Sequence, residues 1–347
     1  MSAIPANLDS AGLASNGRPR FSARPFEPHP LFRNPHVATV AAAYWPRDFS
    51  ALLPATNRLF EVEPGTWLLA KCHWQDSPRL HNTLVLVHGL EGSSESPYML
   101  GIAERAYQRG FNVLRMNQRN CGGTEHLTPT LCHSGLSEDY RTVLSELIEC
   151  DQLQKIFFSG YSTGGNLVLK MAGELTERTP RELRGICAVS PCLDLAACAD
   201  GSGHPRNLVY ESYFLRSMRN TLQRKAAVFP DRYQADRFFA PRSVREWDEA
   251  ITAPEWGYRD AADYYVRGSA LHVMGQIRVP TLILAAQDDP LVPIISFRNS
   301  GIAENPFITL IAPEHGGHCA FISSGGGNER FWAEQCVLEF CASQSVS

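Results

Sequence analysis

The sequence predicts an α/β protein built on a mostly parallel sheet, and three observations carry that expectation. From residue 83 onward, short β-branched or aromatic runs alternate with helix-length patterns. Most of those runs are apolar throughout, the mark of strands covered on both faces. With 44% hydrophobic against 20% charged residues, the chain also has the apolar material for a sizeable core.

Met1 to about Pro30 mixes Ser, Ala, Asn, Gly and Pro with little periodicity. So little apolar surface does not offset ordering entropy, and a loose arm is expected over residues 1–30, ahead of one α/β domain over 31–347. Val37 to Trp45 is an apolar run with the length of a core-docking helix. Asn57–Glu63 and Thr66–Trp74, separated by Pro64-Gly65, read as two strands paired antiparallel at a sheet edge. Six further strands are expected at Thr83–Val87, Phe111–Met116, Lys155–Ser159, Gly185–Val189, Thr281–Ala286 and Phe307–Ile311. The helices between and after them are expected at Tyr98–Arg109, Leu136–Cys150, Thr163–Glu177 and Asn328–Cys341, joined by right-handed crossovers. Between about Cys192 and Gly268 the rhythm breaks into an insertion rich in Arg and aromatic residues. It follows one strand and precedes the next, so it is expected to cap the carboxyl edge of the sheet.

Charge and composition exclude several roles. Lys+Arg 32 against Asp+Glu 36 gives −4, without the basic excess that nucleic-acid binding needs. No stretch approaches the ~18 apolar residues of a membrane span, and the Pro-rich start lacks a signal-peptide core. A cytoplasmic protein is expected, with peripheral membrane contact left open. The ten cysteines are scattered through a long chain, which reads as thiols in a reducing compartment.

The sharpest motif is Gly160-Tyr161-Ser162-Thr163-Gly164, which an apolar strand enters and a helix pattern (Leu167, Val168, Met171, Leu175) leaves. This matches the nucleophile elbow in motif and in context. Ser162 is the candidate nucleophile, and the Thr163 N–H, unpaired at a helix start, is a candidate oxyanion donor. The loop after Thr83–Val87, His88-Gly89-Leu90-Glu91-Gly92, offers the Leu90 N–H as the second donor. His88 reads as a turn-shaping imidazole. A serine hydroxyl needs a base held by an acid, in the chain order Ser, acid, His. The strand Thr281–Ala286 ends in Gln287-Asp288-Asp289, and Phe307–Ile311 leads to His315-Gly316-Gly317-His318. Adjacent strand ends thus present acid and base side by side, with two candidates for each. No metal is expected: the paired aspartates lack a nearby ligand cluster, and Cys121, His126, Cys132 and His133 fit no closed zinc spacing.

These motifs, with Asn34-Pro35-His36 and Thr39, Arg119-Asn120-Cys121-Gly122-Gly123, His133-Ser134-Gly135 and Asp263-Tyr264-Tyr265 in order, span about residues 31 to 322. The chain resembles the α/β-hydrolase superfamily, and within it the YheT-like branch of bacterial esterases, fungal alcohol acyltransferases and animal abhydrolase-domain lipases. The resemblance implies a serine hydrolase with Ser162 as nucleophile, Asp289 as acid, His318 as base, a cap, and neither cofactor nor metal. Asp289 begins Asp-x-x-Val-Pro, which resembles the usual acid-bearing turn, and His318 ends the Gly-Gly turn. Thr163 departs from the branch, standing where Leu or Met commonly follows the nucleophile. Hydrolysis of short to medium acyl esters, with monoacylglycerols as one candidate, is the expected activity. Alternatives are alcohol O-acyl transfer through the same triad, with alcohol in place of water, and a non-catalytic α/β binding scaffold. The cap aromatics Tyr210, Tyr213, Phe214, Phe229, Tyr233, Phe238, Phe239, Trp247, Trp256 and Tyr258 are candidates to border the acyl pocket.

Overall fold

Eight strands form one sheet: β1 (Thr56–Glu63), β2 (Thr66–His73), β3 (Thr83–Val87), β4 (Asn112–Met116), β5 (Ile156–Tyr161), β6 (Leu183–Val189), β7 (Thr281–Leu284) and β8 (Ile308–Ile311). The computed structural model describes residues 21–233, 240–298 and 301–345. The strand order is β1-β2-β4-β3-β5-β6-β7-β8. β2 runs antiparallel to β1 and β4, and every other pairing is parallel. The expected edge hairpin and parallel sheet are therefore present.

The main helices are α1 (Pro35–Tyr44), α2 (Pro97–Gln108), α3 (Ser137–Glu149) and α4 (Thr163–Leu175), then α5 to α9 within the insertion, and last α10 (Trp332–Gln344). Successive residues of β3 show why its run is apolar throughout. Val85 and Val87 pack with Val143 and Leu147 of α3 and Val168 of α4. Leu84 and Leu86 pack with Met99 and Ile102 of α2 and Val337 of α10 on the other face.

Several helix ends are displaced by one to four residues from the expected ones, two of them for evident local reasons. α4 stops at Leu175 because Thr176 takes a left-handed φ of 48°. α10 starts four residues late, at Trp332, because Gly327–Glu329 closes a separate 3-10 turn.

The loose arm also needs correction over residues 21–30. Phe21 sits edge-on to Phe340 at 5.4 Å, Phe26 lies 5.2 Å from Trp332, and Trp332 Nε1 donates to the Arg24 carbonyl at 2.9 Å. Two aromatic rings supply apolar surface that the polar average of this segment conceals. Residues 1–20 lie outside the described residues.

The insertion between β6 and β7 carries α5 (Leu195–Ser202), α6 (Leu208–Val228), α7 (Val244–Trp247), α8 (Ala253–Glu255) and α9 (Ala261–Gly268), with a π-helical turn at Asp248–Thr252. It has a small core of its own, in which Leu215, Met218, Leu222, Tyr233, Trp247 and Ile251 gather around Leu131 from the loop after β4.

Candidate active site

The site starts from backbone. β5 runs into Ser162, which adopts φ 54° and ψ −119° and caps the N-terminus of α4. A Cβ at 160 would collide with the Gly164 carbonyl, and one at 164 with the carbonyls of Val87 and His88. Glycine at both positions lets the turn close and lets the loop after β3 press against it. A non-glycine residue held at such a φ costs on the order of 1–3 kcal/mol, which the paired strand and the helix on either side absorb.

The candidate acid and base arrive from the next strands out. His318 Nε2 lies 2.9 Å from Ser162 Oγ, and His318 Nδ1 lies 2.9 Å and 3.1 Å from the two carboxylate oxygens of Asp289. The Asp289 carboxylate is 2% exposed, so it must be satisfied within the protein. Its Oδ1 also accepts from the Leu291 and Val292 N–H groups at 2.9 Å and 3.0 Å. With the Nδ1 proton directed at this carboxylate, Nε2 is left to accept from the serine hydroxyl. Burial of the His318 ring disfavours its cation, but the adjoining Asp289 charge outweighs that and holds its pKa well above the usual histidine value. The other two candidates pair with each other. His315 Nδ1 lies 3.2 Å from Asp288 Oδ2, and Asp288 Oδ1 accepts from the Gly317 N–H at 3.0 Å. His315 is 39% exposed, and neither it nor Asp288 hydrogen-bonds Ser162.

The Leu90 and Thr163 N–H groups flank Ser162 from the two loops, and neither has an acceptor among the described residues. Both residues line the cavity that opens at Ser162. His88 is fully buried; its Nδ1 faces the Gly89 carbonyl at 2.7 Å and its Nε2 accepts from the Gln118 N–H at 3.1 Å. Burial lowers its pKa to about 4, consistent with a neutral, turn-shaping ring. The cavity wall continues with Leu131, Leu195, Phe214, Met218, Trp247 and Leu291. Of the aromatics expected to border it, Phe214 and Trp247 do. Tyr233 and Phe229 pack inside the insertion, Trp256 and Tyr258 pack on His133, Tyr210 stacks on His36, and Tyr213 is exposed. Phe238 and Phe239 lie outside the described residues.

Three contacts escaped the sequence. Thr39 of α1 accepts from the His318 N–H at 2.9 Å across 279 positions of chain, a separation that no local pattern reports. Cys192, just past β6, places Sγ 3.4 Å from Ser162 Oγ; its position at a strand end was the available signal. Glu91 reaches from the loop after β3 into the insertion. The cysteines and histidines around 121–133 serve other contacts. Cys132 Sγ donates to Gln118 Oε1 at 3.4 Å, and His133 Nδ1 accepts from the Gly135 N–H at 3.1 Å. Among the described residues no group of three or more His, Cys, Asp or Glu is arranged to hold a metal, and no helix is long and apolar enough to cross a membrane. All ten cysteines are free thiols.

Residues 82–324 match the model of the α/β-hydrolase fold family. YheT of Escherichia coli (strain K12) is 32% identical over 328 residues, covering 92% of this chain and 93% of that protein. The phospholipase ABHD3 of Mus musculus is 27% identical over 256 residues, covering 74% of this chain; the chain spans 60% of that relative's length. The structure of the Pyrococcus furiosus esterase Pf2001 superposes with a TM-score of 0.54 at 16% identity, covering 85% of this chain and 94% of that one, and so shares the fold. The chain belongs to the α/β-hydrolase fold family, and within it to the esterase- and lipase-type YheT-like branch.

Proposed function

We propose that the chain is a serine carboxylic-ester hydrolase in which Ser162, His318 and Asp289 act as nucleophile, base and acid. The single observation that carries this reading is the continuous hydrogen-bonded line from Ser162 Oγ through His318 to the buried Asp289 carboxylate. His318 takes the serine proton as Oγ attacks the ester carbonyl carbon, and Asp289 orients the imidazole and stabilises its cation. The Leu90 and Thr163 N–H groups hold the negative oxygen of the tetrahedral intermediate. Collapse expels the alcohol, which takes the proton from His318 and leaves an acyl-Ser162 ester. Water, deprotonated by His318, then attacks that ester; collapse breaks the acyl–Oγ bond, Ser162 Oγ takes the proton back from His318, and the carboxylic acid is released. No step calls for a cofactor or a metal.

The substrate reading follows from the wall of the cavity. Apolar side chains from the strand-end loops and from α5 to α7 enclose it, which suits uncharged esters of short to medium acyl chains, monoacylglycerols among them, over bulky triglycerides. Ser162→Ala removes only the attacking oxygen. Turnover of p-nitrophenyl butyrate is expected to fall by at least about a thousandfold with the thermal midpoint unchanged. A variant keeping more than about a hundredth of kcat would overturn the assignment.

A further inference from the structure

Glu91 follows the candidate oxyanion donor Leu90 directly and stands in a left-handed conformation, φ 54°, without being glycine. Something must hold it there, since that region costs a side-chain-bearing residue energy. Its carboxylate does not turn to solvent. Oε2 accepts from Thr221 Oγ1 at 2.7 Å and from Ser217 Oγ at 2.9 Å, two hydroxyls one turn apart on α6. α6 is itself anchored: Arg224 pairs with Glu125, and the buried Lys225 donates to the carbonyls of Glu125 and Thr128 in the loop after β4. The oxyanion loop is therefore fastened on one side to the elbow, where Gly164 abuts the carbonyls of Val87 and His88, and on the other to a braced helix of the insertion.

Resting on the hydrolase reading above, we infer that Glu91 is a positioning residue, whose hydrogen bonds to Ser217 and Thr221 fix the Leu90 N–H in the orientation that receives the oxyanion. The insertion then does more than cover the cavity, because α6 completes the electrostatic part of the site. An oxyanion donor acts on the charge that develops at the transition state and contributes little to ground-state binding, so its misplacement is read in kcat. Misplacement by about 1 Å is enough to cost on the order of a hundredfold.

The test is a series on the full chain with p-nitrophenyl butyrate: Glu91→Ala, Glu91→Gln, the pair Ser217→Ala/Thr221→Val, and all three positions together as Glu91→Ala/Ser217→Ala/Thr221→Val. Glu91→Ala is expected to lower kcat by about 10- to 100-fold with KM within about threefold. Glu91→Gln keeps an acceptor oxygen for both hydroxyls and is expected to stay within about fivefold of the wild type. The Ser217/Thr221 pair should reproduce the Glu91→Ala loss, and the triple variant should add nothing further, since all remove one linkage. Inhibition by a trifluoromethyl ketone, whose adduct with Ser162 carries the oxyanion, should weaken in step with kcat/KM across the series. Unchanged kcat in Glu91→Ala, a loss confined to KM, additive losses in the triple variant, or Glu91→Gln as impaired as Glu91→Ala would each overturn the inference. Should Glu91→Ala fail to fold, the Ser217/Thr221 pair decides alone, by the same kcat and inhibitor readouts. Failure of the hydrolase reading would look different, with a wild type that does not turn over the ester at all.

Discussion

Two walls face each other across the cavity, and they are built by different means. On one side the ends of β3, β5, β7 and β8 place Leu90, Ser162, Asp289 and His318 through sheet register and tight turns, and the Asp289 carboxylate is closed in by backbone N–H groups from its own loop. On the other side the insertion places Phe214, Met218 and Trp247 by side-chain packing in a small separate core, fastened to the rest by side-chain hydrogen bonds. Backbone geometry tolerates little displacement, whereas packed side chains accommodate substitutions of similar volume. On the proposed reading, the reacting groups stand on the rigid wall and the acyl-chain contacts on the other. Substitutions on the first should be read in kcat, and those on the second in the preference among substrates.

The largest effect expected is at the base. His318→Gln should lower kcat by about a thousandfold or more, while His315→Gln, whose parent ring is partly exposed and pairs with Asp288, should stay within about threefold. The acids come next. Asp289→Asn leaves an amide against the imidazole and should cost on the order of a thousandfold or more; Asp288→Asn retains an oxygen for the Gly317 N–H and should cost about threefold or less. A reversal within either pair, measured as kcat on one ester, would exchange the roles assigned to the two pairs.

The pH profile is a subtler probe of the same wall. In the proposed mechanism the base must be neutral, so kcat/KM is expected to fall as the pH drops through the His318 pKa. The Asp289 charge holds that pKa well above the ordinary histidine value, which places the acid limb higher than an isolated imidazole would. In Asp289→Asn that raising charge is gone while burial, which lowers the pKa, remains, so the residual activity should have its acid limb at lower pH. A limb that did not move, followed as residual kcat/KM against pH, would separate His318 from Asp289.

The smallest effect belongs to the insertion. Trp247→Ala should widen the cavity and move the optimum of kcat/KM across p-nitrophenyl acyl esters toward longer chains, with less than about a tenfold change on the original best substrate. An unchanged chain-length profile would show that Trp247 packs the insertion without contacting the acyl chain.

The contrast between the two walls also explains what could be read from the sequence. Strands such as Thr83–Val87 were legible because both faces are covered, and the elbow because Gly160 and Gly164 answer a steric demand in the chain itself. The sequence favours Asp289 over Asp288 through the turn Asp289-Pro290-Leu291-Val292-Pro293, and that turn supplies the two N–H donors to the Asp289 carboxylate. Thr39 and Glu91 both stand in motifs of the sequence, but the contact of Thr39 with His318 and the Glu91 link to α6 are not legible, because each joins residues far apart in sequence through side chains with no periodic signature. The aromatics of the insertion were legible only as a group. Whether a given ring fills the local core, as Tyr233 does, or faces the cavity, as Phe214 does, is decided by the packing of α6 to α9.

The most direct test of the central claim, that Ser162 is an activated nucleophile, is covalent labelling. In the folded chain Ser162 Oγ should attack the phosphorus of a fluorophosphonate and displace fluoride, giving one phosphonate ester per chain on the peptide that carries Ser162. Intact-mass measurement followed by peptide mapping reads both the stoichiometry and the position, and His318→Gln should slow the labelling by orders of magnitude. A chain that stays unlabelled, or one labelled elsewhere with Ser162 free, would contradict the account.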